Sequence, residues 1–472
     1  MLEYIKSNRW NESPEDHRTR FFASSMLVLA LTFSQLAVAQ VPCPPTISDS
    51  GDSGSADQNC STISKQSDTP DYQDPLAACS GLHARRVFSG ATATALRDAV
   101  NRASCGDTIQ LAPGKYGTSV AIDKSCPVNA PVIIQGAPNF ASDVTSSLTI
   151  NGSRTIVAGI NFSGPNVQVR LGGTNNKVIA NRFSDWRNIA ITLAAGKQGE
   201  IAYNELFDPH PWLASEADSY PLRIGIRSSE KDSSDFHFGA WIHHNYFHDF
   251  PAKPNPDNYD SGQSDAIEVC QTNREWTYSK PAGWYIERNL ITRHMQGSGI
   301  VDIKCSGVFV LGNTVTESPS GRIDIRAGVG STLESNWQEG SGGSTIHGGN
   351  HRVVGNYMRG GGGIQVISGD QPWNSGTSGG HNQGYRVLVT GNDTDSLVVG
   401  LTYEAAMEAY PATGTIIEGH KGPNPVLRFE RETTIRTSTS ARFSPASKLG
   451  SGDVGPSALG QASPAYLQCR RP

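Results

Sequence analysis

The chain has 472 residues, 50 of them glycine and only 5 methionine, with 18% charged residues, a composition that disfavours a helical bundle and suits strands joined by tight turns. Its net charge of -5 and pI near 6.2 remove any global reason to expect nucleic acid as a partner, so an anionic ligand has to be held by local clusters. The length has room for two or three average domains or for one long solenoid.

Residues 1–39 read as a targeting segment. Arg18 and Arg20 precede the apolar run FFASSMLVLALTF, and Ala37 to Ala39 supply small residues before Gln40. The run is short for a membrane span, so the expectation is a cleaved signal peptide and an exported protein, periplasmic or extracellular, with no membrane association afterwards. Export turns the eight cysteines (43, 60, 79, 105, 126, 270, 305 and 469) into disulfide formers, with Cys105–Cys126 the first expected pair and Cys270–Cys305 the second. Residues 40–85, rich in Ser, Asp, Pro and Gln, read as a flexible leader.

The segment ATATALRDAVNRASCGD puts Leu96, Ala99, Val100 and Ala103 on one helical face and runs directly into a strand and Pro-Gly turn, TIQLAPGKY. A short helix there covers an otherwise unpaired sheet end. Asparagines then recur in similar phrases at 161, 181, 204, 245, 289, 313, 336, 356 and 392. The intervals of 20, 23, 41, 44, 24, 23, 20 and 36 residues cluster near one period or two. Such a period indicates a stacked solenoid, and the abundance of Gly, Val and Ile makes each unit one coil of a parallel β-helix spanning residues 86–440, with an irregular tail over 441–472. The asparagines are expected to stack at a bend. Insertions such as DPHPWLASEADSY and PAKPNPDNYDSGQ fill the long intervals, on the side where a solenoid builds its cleft.

The phrases AIEVC, IVDIK and RIDIR share one alternation. Strand geometry turns Glu268, Asp302 and Asp324 outward as one column, with Cys270, Lys304, Arg326 and His347 in or beside a second. One reading is an ion-pair ladder on a solvated sheet. The sharper one is an active site, in which Lys304, beside Arg326 and desolvated by a cleft, is pushed toward its neutral form and becomes a base. A base, an acid and a neutraliser of charge are what β-elimination of a uronic-acid polysaccharide requires. Two alternatives stay open: a glycoside hydrolase using Asp302 and Asp324, and a non-catalytic glycan-binding solenoid.

Other features carry less. His243 and His244 fall on opposite strand faces and cannot share a zinc ion, while His244 and Tyr246 are expected to line the substrate groove. None of Trp212, Trp241, Trp276, Trp284 and Trp337 is singled out for sugar stacking. Gly360 to Gly363 lacks the lysine of a phosphate loop, and Cys305 reads as half of a disulfide rather than a nucleophile.

The ordered phrases HHNYF, SDAIEV, ERNLI, GIVDIKCSGVFVLGNT and GRIDIRAG resemble polysaccharide lyase family 6, the alginate lyases and chondroitinase B. ALRDAVNRASCGDTIQLAPGKY is similar to that family's opening helix and first strand, and the resemblance covers residues 88–370. It implies a right-handed parallel β-helix and lytic cleavage of an anionic polysaccharide, alginate-like first and chondroitin or dermatan second, by a monomer with Lys304 as base and Arg326 as acid. Two departures stand out. Gly297 and Gly299 occupy the positions of two glutamates that hold the family's calcium ion, and Ala327 replaces its histidine after the arginine. The expectation is therefore that no cofactor is required. Arg322, His347 and Gln296 would neutralise the substrate carboxylate directly, the alternative being a cation such as Ca2+ held by Glu268, Asp302 and Asp324; no metal-ligand set is assigned.

Overall fold

The structure, a computed structural model, describes residues 87–91, 93–213, 222–229, 234–252, 264–270, 280–295, 299–375, 380–402, 405–436 and 447–459. The signal-peptide and leader assignments, Gln296, Gly297, Trp276, Cys469 and most of both insertions lie outside these residues.

Short parallel strands recur three to a coil. One face is a 14-stranded sheet that begins at Val87–Ala91 and ends at Thr434–Arg436. The other two faces merge into a 22-stranded sheet because two long strands run through the corner between them. Every neighbour is the equivalent strand of the next coil, which makes the molecule a parallel β-helix. Alternation then stacks like on like: Ile201, Ile242, Ile286, Val310, Leu333, Val353 and Val389 pair in register from coil to coil, and all are fully buried. Their removal from water drives the fold, at about 25 cal/mol per Å² of apolar surface.

The corner between the first and second faces carries the asparagines. From Asn181 through Asn204, Asn245, Asn289, Asn313, Asn336, Asn356 and Asn392, each residue's backbone N–H donates to the side-chain oxygen of the next, at 2.9 to 3.0 Å. The ladder is direct across the separations of 41, 44 and 36 residues. Each of these is one coil enlarged by insertions, not two. Asn161 stands outside the ladder, because it pairs with Arg182 and its neighbour Ile160 takes the place in register. The residue before each ladder asparagine is left-handed, with φ between 50° and 64°, whether it is glycine (312, 355, 391) or Ala180, Tyr203, His244, Arg288 or Ser335. Ordering eight such bends requires the hydrogen bonds that the asparagines supply.

Helix α1 (Ala93–Arg102) covers the N-terminal end. Leu96, Ala99, Val100 and the following Ala103 enter the core, and Lys124 Nζ donates to the terminal carbonyls of Val100 and Asn101 at 3.1 and 3.0 Å. Both expected disulfides are present, Cys105–Cys126 and Cys270–Cys305, with Cα separations of 5.3 and 5.9 Å. Residues 447–459 depart from the expected loose tail. Val454 is fully buried, Leu449 N donates to Thr314 Oγ1 at 3.0 Å, Gly455 N donates to His244 O at 2.7 Å, and Lys448 pairs with Glu339. This segment straps several coils along the asparagine corner. No helix among the described residues is long and apolar enough to cross a membrane.

Candidate active site

Four strands of the third face build the site: β1 (Ile267–Val269), β2 (Gly299–Ile303), the second half of β3 (Thr314–Ile325) and the second half of β4 (Trp337–Ile346). Glu268, Asp302 and Asp324 pair in register, as the repeated phrases require. The next position is continued by the backbone. Lys304 N donates to Val269 O at 2.9 Å, Arg326 N to Ile303 O and His347 N to Ile325 O at 2.7 Å, so Lys304, Arg326 and His347 form a second column. Cys270 was expected to point outward in it, but a left-handed φ of 63° turns it inward to its disulfide with Cys305, and it is fully buried.

The acidic column faces outward yet is buried, with Glu268, Asp302 and Asp324 only 1 to 2% exposed. Long cationic side chains cover it. Lys304 Nζ lies 2.9 Å from both Glu268 Oε1 and Asp302 Oδ2, Arg326 Nη1 lies 3.6 Å from the same Asp302 oxygen, and Arg227 Nε lies 2.6 Å from Glu268 Oε2. Arg322 Nε donates to Asp324 Oδ2 at 3.2 Å, while Thr345 N and Oγ1 donate to Asp324 Oδ1 at 3.1 and 2.5 Å. An ion-pair ladder is therefore present, but not on a solvated sheet. Only its cations reach solvent: the side chains of Arg326 and Arg322 are 35 and 30% exposed and that of Lys304 14%.

The charge state of Lys304 reverses the sequence expectation. Burial disfavours its ammonium, but the carboxylates of Asp302 and Glu268 outweigh both burial and the repulsion of Arg326, and its pKa is held above the ordinary lysine range. His347 goes the other way. Burial first, then Arg326 and His381, hold it well below the usual histidine value, so it is a neutral ring whose Nδ1 lies 3.3 Å from Asn382 O.

Asp265, Glu268 and Asp302 bring carboxylate oxygens within 4.8 Å of one another, and all three are buried. Of the two glycines at the family's calcium-ligand positions only Gly299 is described, and it offers no carboxylate; a Cβ built on it would stand 3.3 Å from Asp302 Cβ and Asp324 Oδ2, a tight contact with the acidic column. Lys304 Nζ stands between two of the three acids. The pair a hydrolase would use, Asp302 and Asp324, is buried and engaged by cations.

The structure brings Lys304, Arg326, Arg322 and His347 together and leaves His244 and Tyr246 apart. His244 occupies the left-handed corner before Asn245, stacked on Tyr203 at 4.9 Å, and Tyr246 opens a strand of the second face. The strap reaches both, since a Cβ on Gly455 would stand 3.2 Å from Tyr246 Cβ. Arg227, Asp265 and Thr345 were not anticipated. The phrase IGIRS, whose Arg227 pairs in register with Glu268, carries the same alternation as AIEVC and was the available signal for the first.

No family model matches this sequence, and no curated protein matches it. Among solved structures the chain is similar to a PL6 family polysaccharide lyase from Pseudopedobacter saltans, with 17% identity, a TM-score of 0.58, and 78% of this chain and 98% of that one covered. It is also similar to a variant of the PL6 family alginate lyase AlyGC, with 15% identity and a TM-score of 0.60 over 78% of this chain, which spans 58% of that longer one. A third is a mannuronic acid specific family 6 lyase from human gut microbiota, with 15% identity, a TM-score of 0.53, and 74% and 82% covered. At these identities the likeness establishes a common architecture: the chain has the parallel β-helix fold of the family 6 lyases.

Proposed function

We propose that the protein is an exported polysaccharide lyase that cleaves a uronic-acid polymer by β-elimination, with Lys304 as base and Arg326 as acid. The observation that carries this reading is the convergence of both side chains, from adjacent coils, on one buried oxygen of Asp302. A base and an acid held against the same face of a sugar ring can take the C5 proton and protonate O4 within one bound geometry.

In the step itself, the neutral Lys304 amine removes the proton from C5, next to the substrate carboxylate. The electron pair forms the C4–C5 double bond, the C4–O4 bond breaks, and O4 takes a proton from Arg326. The products are an unsaturated uronate and a new chain end. Asp302, touching both cations, lies where a proton can return from Lys304 to Arg326 and restore the starting state. The fold likeness to alginate lyases favours an alginate-like substrate, with chondroitin or dermatan second, and the two disulfides fit an oxidising compartment.

The test is absorbance at the unsaturated chromophore with alginate, polymannuronate, polyguluronate, pectate, hyaluronan, and chondroitin and dermatan sulfates. A rise with one of them is expected. New reducing ends without the chromophore would point to hydrolysis instead, and the absence of cleavage to a binding solenoid.

A further inference from the structure

The elimination reading needs a positive charge against the substrate carboxylate, and Gly299, at one of the family's calcium-ligand positions, supplies no carboxylate to hold a metal there. We infer that Arg322, set beside a shelf of glycine backbone, binds that carboxylate directly and makes the reaction independent of metal. This rests on the lyase reading and names the group that recognises the hexuronate.

Position comes first. Arg322 lies on β3 four residues before Arg326, so alternation places both on the outward face. Its neighbours in register are glycines on both sides, Gly299 on β2 and Gly343 on β4. Neither in-register neighbour carries a side chain against the Arg322 stem. Its stem lies across Gly342, where an added Cβ would meet Arg322 Cγ at 2.6 Å.

The shelf continues into the next coil. A Cβ on Gly361 would stand 2.0 Å from Ser341 O, one on Gly362 1.9 Å from Gly342 O, and one on Gly343 2.2 Å from Gly363 O. At Gly361, Gly362 and Gly363 the coils approach too closely for a side chain, and Gly360 has a φ of 73°, so the GGGG run is a structural requirement. Gly360 and Gly361 are exposed, and Gly342 and Gly362 partly so, leaving a floor without side chains on which a sugar ring can lie.

Orientation comes from the buried acid. Thr345 fixes Asp324 through two hydrogen bonds to one oxygen, and the other oxygen receives Arg322 Nε. An arginine anchored at Nε keeps the planar fork geometry that matches a carboxylate with two parallel N–H···O bonds. Asp324 and Thr345 are thus positioning residues for Arg322, as Asp302 is for Lys304 and Arg326.

The experiment measures turnover of the polymer that the absorbance screen identifies, in EDTA and in added calcium, for the wild type, Arg322→Ala and Arg322→Lys. Binding of an oligosaccharide of that polymer and of its carboxyl-reduced form to the Lys304→Gln variant, with and without Arg322→Ala, is followed by calorimetry in EDTA. The inference expects wild-type turnover unchanged by EDTA, kcat lowered about 10² to 10³-fold in Arg322→Ala, and partial recovery in Arg322→Lys. Weaker binding of the carboxylated oligosaccharide but not of the reduced one is the second expectation. Loss of turnover in EDTA with recovery in calcium, or near-wild-type kcat in Arg322→Ala, overturns the inference while leaving the lyase reading intact. Failure of the wild type to form an unsaturated product from any polymer overturns both.

Discussion

Lys304 and Arg326, one coil apart, reach the same atom: Asp302 Oδ2 lies 2.9 Å from the lysine nitrogen and 3.6 Å from the arginine. Asp302 is 2% exposed, and its other oxygen has no hydrogen-bond partner among the described residues. A buried carboxylate holds its charge only when compensated, so both cations are tied to it. The tie fixes the geometry and also fixes the lysine proton, which gives the pH behaviour its sign.

Lys304 is held above its ordinary range against the effect of burial, by Asp302 first and Glu268 second. Only its neutral fraction can act as a base, so kcat/KM is expected to climb through the alkaline range. A raised pKa stabilises the fold fully below the unfolded lysine value of about 10.4, and that contribution is lost as pH rises through the higher folded value. Asp302→Asn removes the strongest attracting charge. Its pH–rate profile should rise at lower pH than that of the wild type; a limb that stays in place would contradict this electrostatic account.

Acid should weaken the protein for a separate reason. Burial holds His237 and His351 at about 4 and His294 at about 3. Folded-state values below the unfolded value of about 6.5 give stability that is present above pH 6.5 and lost as the pH falls toward 3 to 4. His294 packs on Phe250 at 4.5 Å, and neither ring nitrogen makes a hydrogen bond of normal geometry among the described residues. His294→Phe is expected to add about 1 kcal/mol at neutral pH and to flatten the acid limb, read as melting temperature against pH. A lower melting temperature at neutral pH would show that the imidazole makes a needed contact.

The asparagine ladder should tolerate little. Asn289 accepts from Asn245, and its own Nδ2 donates to Ile242 O at 3.0 Å and Asn313 Oδ1 at 2.9 Å. Asn289→Ala leaves several buried groups unpaired at the centre of the stack, with an expected loss of roughly 2 to 4 kcal/mol in denaturant unfolding. A loss within experimental error would mean that the ladder is ornamental.

Cys305 follows Lys304 directly, and its disulfide reaches the preceding coil at Cys270. Closing this loop of 35 residues restricts the unfolded chain by up to about 4 kcal/mol in the entropic model. The double variant Cys270→Ala/Cys305→Ala is expected to unfold at lower denaturant and to lose activity at temperatures where it remains folded, because the backbone carrying Lys304 loses its link to Glu268's strand. Full activity with reduced stability would limit the disulfide to a structural role.

The parts of this molecule legible in sequence are those written by short-range periodicity. The alternation of IVDIK and RIDIR placed Asp302 beside Asp324 and Lys304 beside Arg326, and the face of Leu96, Ala99 and Val100 announced helix α1. Periodicity misled where its phase slipped: Asn161 sits one residue past the ladder position that Ile160 occupies. Interactions between distant segments left no such trace. Nothing near His244 marks it as the place where Gly455 docks, 211 positions later in the chain.

Charge was the least legible property. The proximity of Arg326 to Lys304 pointed to a neutral lysine, but the sign is set by a sum over neighbours, and Glu268 lies 36 residues earlier on another coil. Likewise, the identity of Arg322's neighbours, Gly299 and Gly343, emerges only when three coils are placed in register.

The most direct test of the account is the rate of unsaturated product formation by wild type, Lys304→Gln and Arg326→Gln on the polymer that the screen identifies. All three proteins would first be matched for folding by circular dichroism. The account predicts product from the wild type and a fall of at least about 10³-fold in kcat for each variant. Cleavage at near-wild-type rate by either folded variant would contradict it.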